Sequence, residues 1–97
     1  MDNLVSKIEA KANTIFVKLG FEPIHVNAER VYKNEGGYHK FTFAYGLNSF
    51  VIEWAPSLDE ASKNRYEDCD LLSISLEESE LLHRLETILT EGYIAHR

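Results

Sequence analysis

The chain has 97 residues, 44% of them hydrophobic, which is enough for one core and too few for two domains, and its single cysteine rules out an internal disulfide. The formal net charge of −6 falls entirely on residues 57–97, where ten acids face four bases, while residues 1–56 carry six of each. Phosphate contact needs clustered lysine and arginine, so this balance leaves no place for direct binding of nucleic acid.

The first predicted element is a helix over about 3–19, with Leu4, Ile8, Ala12, Ile15, Phe16 and Leu19 forming one apolar stripe. Asp2 or Asn3 caps its start. Gly20 stops it, because glycine takes the left-handed conformation without a Cβ clash, and Phe21 then folds back onto the last turn. Pro23 forbids resumption.

Residues 24–32 read as a strand whose alternation slips near Ala28–Arg30, which suggests a bulge or an irregular edge. The cluster KNEGG (33–37) is a turn. A second strand follows over 38–45. Its core phase is His39, Phe41, Phe43 and Tyr45, and its solvent phase is Tyr38, Lys40, Thr42 and Ala44. A third strand, 49–55, is apolar on both phases and so reads as central.

Beyond Pro56, the sequence SLDE (57–60) matches a capping box, and residues 58–66 read as a short helix or a polar loop. Residues 69–75 read as a fourth strand, at an edge because it is short and flanked by acids. A second capping box, Ser75 to Glu78, opens a final helix over about 76–91. That helix carries Leu81, Leu82, Leu85, Ile88 and Leu89 on its apolar stripe, and Gly92 ends it. The fold class is therefore α+β: a two-layer sandwich in which an antiparallel sheet of three to four strands carries an N-terminal and a C-terminal helix on one face.

No catalytic or metal signature emerges, so the chain reads as a non-enzyme without cofactor. Cys69 lies between Asp68 and Asp70, whose charges disfavour a thiolate. His25, His39, His83 and His96 are scattered and lack ligand spacing. The stretch EGGYHK has neither P-loop nor dinucleotide spacing. Glu53, inside an apolar strand, is the best general-acid candidate, and the competing reading is that it faces solvent or an adjacent lysine. There is no signal peptide pattern and no apolar run long enough to span a bilayer, and the polar faces are not basic enough for anionic lipid, so a cytoplasmic location is expected.

Six of the eleven aromatic residues fall within residues 38–54. Most of them are needed for the core, but one phase of the 49–55 strand is left over. If Trp54 takes the open face beside Tyr38, an aromatic patch adjoins the acidic half of the chain, in the manner of a binding hot spot. The partner-binding candidates are thus Tyr38, Trp54, Glu67, Asp68, Asp70, Glu77, Glu78 and Glu80. The favoured reading is a protein-binding module that occupies a basic surface of a partner protein. In profile it is similar to nuclease inhibitors, immunity proteins and phage counter-defence proteins. The alternatives are assembly through a homodimer, or a small-molecule pocket between sheet and helices lined by Glu53, His39 and Tyr45.

Overall fold

The computed structural model describes the backbone of residues 2–92 and the side chains of these residues except at positions 2, 68, 69, 91 and 92. Helix α1 (Asp2–Lys18) leads into strands β1 (Glu22–Val26), β2 (Glu29–Asn34) and β3 (Gly37–Ala44). A 3-10 turn (Tyr45–Leu47) connects to β4 (Ser49–Ala55). Helix α2 (Leu58–Ser62), strand β5 (Glu67–Ser73), helix α3 (Glu78–Thr87) and a π-helical turn (Ile88–Gly92) complete the order. The strands form one antiparallel meander, β1-β2-β3-β4-β5. Helices α1 and α3 cover one face, and α2 covers part of the other. The architecture is the expected α+β sandwich, with five strands rather than three or four.

The additional strand comes from residues 22–34, which form a hairpin rather than one irregular strand. Val26 pairs with Glu29. The two residues between them, Asn27 and Ala28, both have positive φ, at 54° and 65°, which is the signature of a two-residue primed turn matching the twist of its strands. Asparagine tolerates that region, but alanine is rarely found there. The missing glycine is why the turn reads as a phase slip in the sequence.

The end of α1 follows its sequence closely. Gly20, at φ +93°, donates its N–H to the Val17 carbonyl, and the Phe21 N–H reaches the Phe16 carbonyl at 2.9 Å. This is the double bond of a Schellman cap. The Phe16 and Phe21 rings meet edge to face at 5.1 Å.

The main core lies between this helix layer and the sheet. Val5, Ile8, Ala12 and Phe16 of α1 meet Tyr32, Phe41, Phe50, Ile52 and Leu72 of the sheet and Leu81 and Leu85 of α3. Burying each large apolar side chain contributes about 1.5–3 kcal/mol. Phe16 is the hub: its ring stacks on Tyr32 at 3.9 Å and meets Phe41 at 6.3 Å. The stripe of α1 runs through Val5 rather than Leu4, which is 39% exposed. Val5 lies eleven residues before Phe16, three helical turns, and so sits under it, whereas Leu4 overshoots.

Two further expectations are corrected here. Tyr45 falls in the 3-10 turn, not on the core phase of a strand, and is exposed. The Ser75–Glu78 capping box does not form: Glu77 occupies the N-cap position of α3 without a side-chain cap, and Ser75 Oγ instead meets Ser73 Oγ at 2.8 Å. By contrast, Ser57 does cap α2, its Oγ accepting the Glu60 N–H at 3.2 Å. The tail 93–97 lies outside the described residues.

Candidate functional site

β5 is the outer strand on the C-terminal side of the sheet, bonded to β4 alone among the described strands. Leu72 faces the core opposite Phe50, while Glu67, Asp70 and Leu71 are exposed. The register slips between Ile52, which pairs with Asp70, and Glu53, which pairs with Asp68. Cys69 is thereby the extra residue of a bulge, a feature that twists an edge strand and interrupts its ladder. Asp70 Oδ1 accepts the Leu71 N–H at 2.8 Å. Together the bulge and the acids mark an edge protected against pairing with another flat strand.

The acids of α3 contribute less to the surface than their number suggests. Glu78 turns toward α1, where Lys11 hydrogen-bonds it and Lys7 Nζ lies 3.4 Å away. The Lys11 hydrogen bond holds its carboxyl below the usual glutamate range. Glu80 pairs with Arg84 at 3.0 Å. Glu77 is exposed at the start of the helix.

Tyr38 and Trp54 do not form one patch. Tyr38 pairs with Ala55 and packs against Val26 and Val31 on the face opposite α1 and α3. Trp54 pairs with His39 and packs on the helix-bearing face, where its Nε1 donates to the Gly36 carbonyl at 2.7 Å. Both phases of β4 are therefore used. Phe50, Ile52 and Trp54 face the helices, while Ala55 on the other side packs with Ala61 of α2.

The imagined pocket of Glu53, His39 and Tyr45 is likewise absent, because these side chains do not converge. His39 is fully buried, its Nδ1 3.1 Å from the Tyr32 carbonyl and its ring edge-on to Phe21. Glu53 sits on the opposite face of the sheet and Tyr45 at its tip.

Lys40, expected at the surface, is 7% exposed and anchors a polar cluster on that opposite face. Its Nζ lies 3.3 Å from Glu29 Oε1, 3.3 Å from Asn64 Oδ1 and 3.9 Å from Glu53 Oε1, and 4.6 Å from the Tyr66 ring centroid. Burial, with help from Glu29 and Glu53, pushes the Tyr66 hydroxyl above its ordinary value. The ammonium is held by two carboxylates, an amide and a ring, so it ties α2 and its flanking loop to the sheet rather than serving as a free nucleophile. Lys40 and Glu53 are cross-strand partners, which the sequence suggested for Glu53, but Glu29, Asn64 and Tyr66 left no readable signal.

Among the described residues no three His, Cys, Asp or Glu side chains come together to hold a metal, and no helix is long and apolar enough to cross a membrane. Comparison with protein-family models, with curated proteins and with solved structures found no match.

Proposed function

We propose that the chain is a small cytoplasmic protein-binding module that presents its β5 edge to a basic surface of a partner protein, in the manner of an inhibitor or immunity protein occupying a toxin, nuclease or defence enzyme. The observation that carries this reading is the outer strand itself. Glu67 and Asp70 are exposed on it beside a half-exposed Leu71, and Asp68 belongs to the same strand. Glu29 and Glu53, on the face that carries α2, outnumber the one lysine between them. An apolar contact ringed by like charge gives a partner both an anchor and an electrostatic guide. A homodimer across the same edge is disfavoured, because it would bring two acidic strands together.

The test is capture of partners from host lysate by the tagged chain at low and high salt, beside a Glu67→Lys/Asp68→Lys/Asp70→Lys variant. A basic protein retained only at low salt, and lost by the variant, is the expected result. A partner that resists both salt and charge reversal refutes the acidic-edge reading, and recovery of the chain alone points to self-assembly.

A further inference from the structure

A second region lies at the opposite end of the sheet, beneath α1. Glu9 and Asn13 are four residues apart and so project from one side of that helix. Below them, Arg30 pairs across the hairpin with His25, and Tyr32 follows two residues later on the same face of β2. Phe41 of β3 completes the floor of a cleft of about 410 Å³ between helix and sheet.

The hydrogen bonding in this cleft is directional. Asn13 Oδ1 accepts from Arg30 Nη1 at 3.1 Å and from the Tyr32 hydroxyl at 2.9 Å. With its oxygen occupied twice, the Asn13 amide keeps its Nδ2 group as a donor. Arg30 is engaged here by Asn13 and by a side-chain hydrogen bond with Tyr32, and its remaining N–H groups are suited to contact with a carboxylate. Yet among the described residues Arg30 has no acidic partner, while Arg65 and Arg84 each have one. Glu9 lines the same cleft and makes no ion pair among the described residues either. A guanidinium and a carboxylate thus share a concave site without neutralising each other. Partial burial pushes the Glu9 carboxyl up, which is the expected response of an acid that lacks a cation.

We propose that this cleft binds a small zwitterion, an α-amino acid with an apolar side chain. Its carboxylate rests on Arg30 and Asn13 Nδ2 with His25 at the rim, its ammonium meets Glu9, and its side chain lies toward Phe41. A ligand carrying both charges satisfies both unpaired groups at once, whereas an anion alone leaves Glu9 facing like charge and a cation alone leaves Arg30 unmet. The volume exceeds what the charged groups of the ligand need and lies within the range of small-molecule pockets. This site is independent of the β5 edge.

The experiment is a two-dimensional amide NMR titration of the chain with L-phenylalanine, 3-phenylpropionate and phenethylamine, each carried to about 20 mM so that millimolar affinities are read. The expected result is saturable shifts at Asn13, His25 and Arg30 with L-phenylalanine, and binding at least about tenfold weaker for each singly charged analogue. Arg30→Gln abolishes the response to L-phenylalanine, with the Asn13–Tyr32 bond and the dispersed spectrum retained. Glu9→Gln brings L-phenylalanine down to the level of 3-phenylpropionate. Absence of saturable shifts, equal response to the zwitterion and the lone anion, or persistence of binding in Arg30→Gln overturns the proposal.

Discussion

Gly37 opens β3 at φ +130°, a conformation that L side chains rarely adopt. A Cβ placed there would stand 2.5 Å from the Ala55 carbonyl oxygen and 2.6 Å from Trp54 Nε1. Neither neighbour can move aside cheaply. The oxygen belongs to the backbone of β4, in the ladder that pairs Ala55 with Tyr38, and the indole is held by its bond to Gly36. The Gly37→Ala variant therefore combines backbone strain of about 1–3 kcal/mol with overpacking of about 1–3 kcal/mol. The sum, about 2–6 kcal/mol, is a large share of the roughly 5–15 kcal/mol that stabilises a domain.

Gly20→Ala is the matching control. Its φ is also positive, at +93°, but a Cβ there meets nothing within 4 Å, so it carries the backbone term of about 1–3 kcal/mol alone. Urea unfolding of both variants, followed by far-ultraviolet dichroism and by the fluorescence of the single tryptophan, separates the two contributions. For Gly37→Ala the midpoint falls by at least about 1 M, further than for Gly20→Ala, and the emission of the folded state changes because Trp54 must shift. Equal midpoints for the two variants, with unaltered emission, would refute the argument that the Trp54–Ala55 contact requires a glycine.

Three other outcomes are expected. Lys40→Ala leaves Glu29 and Glu53 without their shared cation and loses about 1–3 kcal/mol, discounted for the partial exposure of Glu29; Lys40→Met keeps the packed stem and loses less, and a Lys40→Met urea midpoint equal to that of the unaltered chain would remove the charge argument. Ser57→Ala deletes the cap of α2 and costs about 1 kcal/mol, which Ser57→Asp restores in the same assay. The two perturbed glutamates act in opposite directions on the pH dependence of stability. Glu78, with its pKa lowered by Lys11, contributes stability that is full above the ordinary glutamate value and is lost as pH falls through the lowered one, so Glu78→Gln flattens the acid limb. Glu9, with its pKa raised by burial, contributes stability that is full below the ordinary value and is lost as pH rises through the raised one, so Glu9→Gln gains most at neutral pH.

The elements governed by local physics were legible in the sequence. The Gly20–Phe21 cap, the bounds of β4 and the Ser57 cap all follow from residues within a few positions of one another. What was hidden depends on register. Whether Trp54 neighbours Tyr38 or His39 is set by the hairpin that joins β3 to β4, and a shift of one position moves every side chain to the other face. The environment of Lys40 draws on β2, β4 and the loop after α2 at once. The cleft under α1 required knowing that the 22–34 segment folds back on itself, because only the hairpin brings His25 beside Arg30.

The two edges of the sheet are defended in different ways, and this decides what a partner at β5 would have to do. β1 is five residues long and carries Pro23, which cannot donate to a ladder. β5 is longer and lacks proline, but its bulge at Cys69 breaks the flat repeat that an added strand needs. Contact at β5 is therefore expected to run through side chains rather than through a continued main-chain ladder. Side-chain charge contact is screened over roughly 8 Å at physiological ionic strength, whereas strand addition is held by main-chain hydrogen bonds and is far less sensitive to salt. Salt dependence of the on-rate thus separates the two modes: a steep fall with ionic strength assigns the acids of β5 the leading part, and a flat response would mean that the edge accepts a strand in spite of its bulge.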